Sequence, residues 1–167
     1  MMPEHEWREA VIAEARTWER TPYEMNQCCK SAGVDCARFI YAVYRHCGLI
    51  QEEQIGIFGG DWSCHVKEEI YVFRMLRHAV KVLESVSYPT LKAEPGNVAL
   101  VRTVEPDPEK KNAGHAFDHA AIVVRWPLVL HAAPEHVKEV DASTHWLWAH
   151  KTVKIFDPWE KMRNGLR

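Results

Sequence analysis

The chain has 167 residues, 47% of them hydrophobic and 26% charged, with a formal net charge of −2. Those proportions fit one globular domain spanning residues 1–167 with a proper core, and the near-neutral balance gives no long-range attraction for nucleic acid or an anionic membrane. No stretch approaches the ~20 apolar residues that a bilayer crossing requires.

Residues 4–19 read as a helix, with Trp7, Val11, Ala15 and Trp18 on one face. Residues 20–35 are irregular and carry Tyr23. A second helix is expected over 36–47, where Cys36, Phe39, Ile40, Val43 and Cys47 share a face; Asp35 is its N-cap and Gly48 its stop. Residues 50–64 contain Gly56, Gly59 and Gly60 and read as loop. The spacing of Val66, Ile70, Phe73, Leu76, Val80 and Leu83 predicts a long helix over 65–85. From Asn97 the pattern turns to strands at 97–103, 118–125, 127–132, 136–140 and 151–156. Helices first and strands after predict an α+β domain, with the helix that begins at Cys36 packed on an antiparallel sheet. The connection over 103–117 is long and leads straight to His119, as a rim or lid would.

Cys36 opens its helix. A thiol in a first helical turn faces unpaired backbone N–H groups and the positive end of the macrodipole, which favour the nucleophilic thiolate. The competing reading is a small buried hydrophobe at the edge of an apolar stripe. A base and an orienting group would decide for chemistry. A hairpin over 119–131, reversing at Arg125-Trp126-Pro127, supplies both: centred on Arg125, it places His119 directly opposite His131 on one face. A slip of one residue would separate them. His115, four residues earlier in a less rigid loop, competes with His119 as the base.

The ten histidines and five cysteines do not form a metal pattern: Cys28-Cys29 is adjacent, Cys64-His65 stands alone, and no HExxH occurs. No metal and no cofactor are expected, and Cys28, Cys29, Cys47 and Cys64 read as spectators. With no glycine-rich phosphate loop, nucleotide chemistry is not expected. The seven tryptophans, Trp146 and Trp148 among them, read mostly as core and C-terminal packing. The N-terminus, Met1-Met2-Pro3-Glu4-His5-Glu6-Trp7-Arg8, lacks a basic leader and an apolar run. The expectation is a protein cytoplasmic as synthesised, with reduced thiols, that meets any external target through an export route.

Several segments together resemble the NlpC-type cell-wall peptidases, papain-like cysteine hydrolases of bacteria and their phages. They are Ala15-Arg16-Thr17-Trp18-Glu19-Arg20-Thr21-Pro22-Tyr23, Gly33-Val34-Asp35-Cys36, Pro95-Gly96-Asn97-Val98-Ala99-Leu100, His119-Ala120-Ala121-Ile122-Val123-Val124 and Leu130-His131-Ala132. Their order, and the twelve-residue step between the histidines, match the family over roughly residues 8 to 135. Asp61-Trp62 and the helix expected after them look most like the phage and prophage tail branch. The resemblance implies a papain-like fold, N-terminal helices packed on a C-terminal antiparallel β-sheet. It implies Cys36 as nucleophile, His119 as general base, His131 as its orienting partner and Tyr23 as the residue that polarises the scissile carbonyl. It further implies a peptidoglycan stem peptide as substrate and, for the tail branch, phage tail proteins as partners. Two departures stand out. Ala37-Arg38 replaces the family's usual Ser-Gly, and Glu24 to Ala32 replaces its glycine-rich stretch, so no substrate contact beyond Tyr23 carries over. An amidase or acyltransferase on the same scaffold, a delivered effector amidase and a tail-assembly component with an idle triad remain open alternatives.

Overall fold

Strict alternation along the central strands gives the sheet two buried faces. Val98, Leu100, Ala120, Ile122, Leu130, Ala132 and Phe156 belong to one apolar cluster. Their neighbours Ala99, Val101, Ala121, Val123, Val129, Val153 and Ile155 belong to a second. A sheet covered on both sides needs apolar residues at every position, which explains the nearly unbroken hydrophobic strands. In the computed structural model of the protein, residues 2–50, 55–57, 59, 77, 80–85, 93–104, 109 and 116–165 are described. Strands β3 (Val80–Ser85), β4 (Val98–Val101), β5 (His119–Arg125), β6 (Leu128–Ala132), β7 (Val137–Asp141) and β8 (Val153–Asp157) form a six-stranded sheet in the order β3-β8-β4-β5-β6-β7. Every pairing in it is antiparallel. A two-stranded sheet, β1 (Cys28–Cys29) with β2 (Gly33–Val34), lies outside it. The α+β expectation holds.

Two helices cover the first face. Helix α1 (Glu4–Arg16) buries Trp7, Val11 and Ala15, and α2 (Cys36–His46) buries Cys36, Phe39, Ile40, Val43 and Tyr44. Asp35 caps α2, accepting from the Arg38 backbone N–H at 2.8 Å. Beyond the helix Gly48 takes φ +75, a conformation costly for other residues. The second face is covered by the segment after β7, through Ala142, Leu147 and Trp148.

A third helix, α3 (Pro158–Gly165), was not expected. Asp157 caps it through the backbone N–H groups of Trp159 and Glu160, and Pro158 occupies the first turn, where its missing N–H costs nothing. The same carboxylate accepts from buried Arg8 at 2.8 Å, and Arg8 also donates to Glu4 and to the Pro95 carbonyl. This set of charge-assisted bonds joins α1 to the start of α3 and the turn before β4.

Two expectations need correction. Residues 80–85 are strand β3, paired with β8, and not the end of a helix. Val80 and Leu83 fit a helical face, yet the run Val80-Lys81-Val82-Leu83 also suits a strand, and the open edge of β8 decides in its favour. Arg77 is helical; the rest of the helix expected over 65–85 lies outside the described residues, as do Asp61, Trp62, Cys64, His65 and His115. The second correction is the β5–β6 register, Ile122 against Leu130 and Val123 against Val129, with a bulge before Arg125. The ladder is displaced by two residues from a hairpin centred on Arg125, so His119 and His131 are diagonal neighbours. An even displacement leaves both on one face. No helix among the described residues is long and apolar enough to cross a membrane.

Candidate active site

Cys36 is the first residue of α2, and its backbone follows the extended Asp35 (φ −92, ψ 170). Residue Cys36 is buried, 5% exposed, and its sulphur is in no disulfide. Its Sγ lies 3.9 Å from the carbonyl oxygen of Asp118, the residue that leads into β5. That entry is held firmly: the Asp118 carboxylate accepts from the Thr103 backbone N–H at 2.6 Å and from its hydroxyl at 2.5 Å. The start of α2 and the start of β5 therefore meet at the sulphur.

His119 is the first residue of β5, and its Nε2 lies 2.8 Å from Nδ1 of His131 on β6. The rings stand at 83° with centroids 5.1 Å apart. By strand alternation His119 keeps step with Ala121 and Val123, and His131 with Val129, on the face that Trp148 covers. Burial is the main reason both imidazoles titrate low, His119 pushed down to about 3 and His131 to about 2. Both are therefore neutral near pH 7, each with one N–H and one basic nitrogen. His145 approaches His131 from beyond, with ring centroids 5.3 Å apart. Burial lowers its pKa too, assisted by the charge of Lys138.

Tyr23 enters on a short extended segment threaded between β2 and the turn before β7. Its backbone N–H donates to Glu135 at 3.2 Å, and it bridges in parallel to Val34. Burial raises the pKa of the phenol, with further contributions from Cys36, Asp35 and Asp118. The phenol thus stays protonated as a donor, within electrostatic range of the thiol.

The residues singled out from sequence are brought together in this way: His119 and His131 touch, Cys36 reaches the peptide before His119, and Tyr23 lies nearby. Cys28 and Cys29 are exposed, and the Cys28 thiol lies 3.8 Å from the Arg38 carbonyl. No metal-holding cluster occurs among the described residues. Two participants escaped the sequence reading. Trp148, expected only as core or C-terminal packing, is fully buried and lies against both histidines. Arg38 is buried as well, bonded to Asp35 at 2.5 Å and to the carbonyls of Ile55 and Gly56 at 3.2 and 2.9 Å. A charged residue at the third position of a helix gives no local sign that its guanidinium folds inward.

No family model and no curated protein matches the chain. Solved structures do. The NlpC/p60 domain of the peptidoglycan hydrolase SagA is 21% identical with a TM-score of 0.52, covering 89% of this chain and 97% of that one. An NLP/P60-family protein from Staphylococcus aureus, described as similar to lipoprotein, is 16% identical with a TM-score of 0.58; 94% of this chain matches 43% of that one. NlpC1 from Trichomonas vaginalis is 12% identical with a TM-score of 0.59, over 94% of this chain and 45% of that one. The chain thus spans less than half the length of the last two proteins. These likenesses establish the fold as that of NlpC/p60 domains.

Proposed function

We propose that the chain is a cysteine hydrolase that cleaves an amide bond in the stem peptide of bacterial peptidoglycan. The observation that supports this reading best is the hydrogen-bonded His119–His131 pair at the mouth of β5, beside the carbonyl that the Cys36 thiol approaches at 3.9 Å. The peptidoglycan substrate rests on the NlpC/p60 fold, because SagA, which shares it, is described as a peptidoglycan hydrolase.

His119 Nε2 is engaged with His131, so Nδ1 receives the thiol proton as Cys36 attacks the scissile carbonyl. The imidazolium formed is buried, and the negative charge of the thiolate formed in the same step offsets part of the cost of that burial. The Cys36 backbone N–H and the Tyr23 hydroxyl stabilise the tetrahedral oxyanion, a kind of contact contributing about 3 kcal/mol. His119 then protonates the departing amine. The same imidazole activates water to hydrolyse the thioester, releasing the carboxylate and restoring the thiol.

Incubation with purified muropeptides, followed by mass spectrometry, is the direct test. Cleaved stem peptides should gain one water, and Cys36→Ala should abolish both cleavage and rapid alkylation near neutral pH. Undiminished cleavage by Cys36→Ala would end the assignment. Acyl transfer on the same scaffold would instead yield products carrying an added amine acceptor.

A further inference from the structure

The chemistry above makes no use of Trp148, yet its indole is packed against both histidines, with centroids 5.6 Å from His119 and 6.0 Å from His131. Its Nε1 lies 3.4 Å from His131 Nδ1, the atom that His119 Nε2 also meets at 2.8 Å. An indole nitrogen only donates, whereas an imidazole nitrogen donates or accepts according to tautomer. A proton on His131 Nδ1 would set N–H against N–H. With Nδ1 bare, its one lone pair is shared in a three-centre bond, mainly with His119 Nε2–H at 2.8 Å and more weakly with the Trp148 indole N–H at 3.4 Å. His119 then carries its proton on Nε2, and its lone pair lies on Nδ1. We propose that Trp148 is a positioning residue whose indole N–H locks the tautomers of His131 and His119, holding His119 ready as a base at Nδ1.

The lock works against a cost elsewhere. In this tautomer the proton of His131 sits on Nε2, which is buried and finds no partner among the described residues. A buried N–H without an acceptor is unfavourable. Without the indole, the inverted pair competes: His131 Nδ1–H donates to His119 Nε2. That inversion moves the proton of His119 to Nδ1, where it cannot accept one from the thiol. The indole N–H therefore does what an apolar side chain of the same shape would not. Its consequence for turnover rests on the hydrolase reading, but the tautomers themselves do not.

Nitrogen-15 spectra of the imidazole rings in the full-length protein near pH 7 test this directly. Both histidines should show a protonated Nε2 and a bare Nδ1. Trp148→Phe keeps a ring in place and removes the donor; it should give a tautomer mixture and a kcat about tenfold lower at unchanged KM, the scale of one hydrogen bond. Should that variant not fold, a benzothienyl analogue installed at position 148 exchanges N–H for sulphur in the same shape and should give the same mixture. A proton on His131 Nδ1 in the wild type, or wild-type tautomers in either variant, overturns the proposal. Muropeptide cleavage and Cys36 alkylation read the hydrolase assignment separately, so failure of one does not pass for failure of the other.

Discussion

His119 Nε2 and His131 Nδ1 lie 2.8 Å apart across the β5–β6 hairpin, although the ladder makes the two residues diagonal and not opposite partners. Their contact depends on ring orientation as much as on strand register. Truncating His131 to Ala would leave the buried Nε2 of His119 without that partner and its ring free to turn. The expected result is a fall in kcat of about 100-fold with little change in KM, against about 1,000-fold or more for His119→Ala. His131→Asn retains an acceptor near the same place and should recover part of the loss. Steady-state kinetics on a defined stem peptide checks all three.

Tyr23→Phe should lower kcat about 100-fold while leaving KM and the rate of Cys36 alkylation near wild type. The phenol is a protonated donor throughout the working range, because burial and the nearby Cys36, Asp35 and Asp118 raise its pKa. Loss of alkylation in parallel would show instead that Tyr23 supports the thiol.

The histidine pair also makes stability depend on pH. Both rings are held neutral by burial, with pKa values of about 3 and about 2 against an ordinary 6.5. Below about pH 6.5 the unfolded chain binds protons that the folded pair does not, so stability falls as pH drops and continues to fall toward the folded values. Each histidine contributes about 1 kcal/mol per pH unit in that window. Urea unfolding at pH 7, 6 and 5 should show this slope, and a His119→Gln, His131→Gln double variant should flatten it. An equal slope in the double variant would assign the dependence to other groups.

Arg38 and Asp35 form a buried pair whose side chains are 9% and 8% exposed. Removing the cation by Arg38→Ala leaves the carboxylate buried beside the first turn of α2, and a loss of about 3 kcal/mol is expected in chemical unfolding. Arg38→Lys restores the charge without the planar fork, which now serves Asp35 and two carbonyls, and should recover only part of the stability.

Local rules made much of this molecule legible. Helix α2, its Asp35 cap and its Gly48 stop follow from 3.6-residue periodicity and cap chemistry, and five of the six strands of the large sheet follow from β-branched runs between turn residues. Asp157-Pro158, an N-cap followed by proline at the first helical position, is a local signal for α3 as well. Residues 80–85 were ambiguous because Val80 and Leu83 satisfy helical spacing while their neighbours suit a strand; only the vacant edge of β8 resolved the choice.

From the amino-acid order alone came the thiol at a helix start, the two histidines on one face of a hairpin and the tyrosine in an irregular segment, since each depends on neighbours within a short stretch of chain. The diagonal contact of the imidazoles, the inward turn of Arg38 and the arrival of Trp148 beneath the histidine pair were decided by the folded chain. Each joins atoms whose separation is set by packing and bulges, and Trp148 lies 17 residues beyond the histidine it meets. No pattern of spacing encodes where an indole N–H will point once both faces of a sheet are covered.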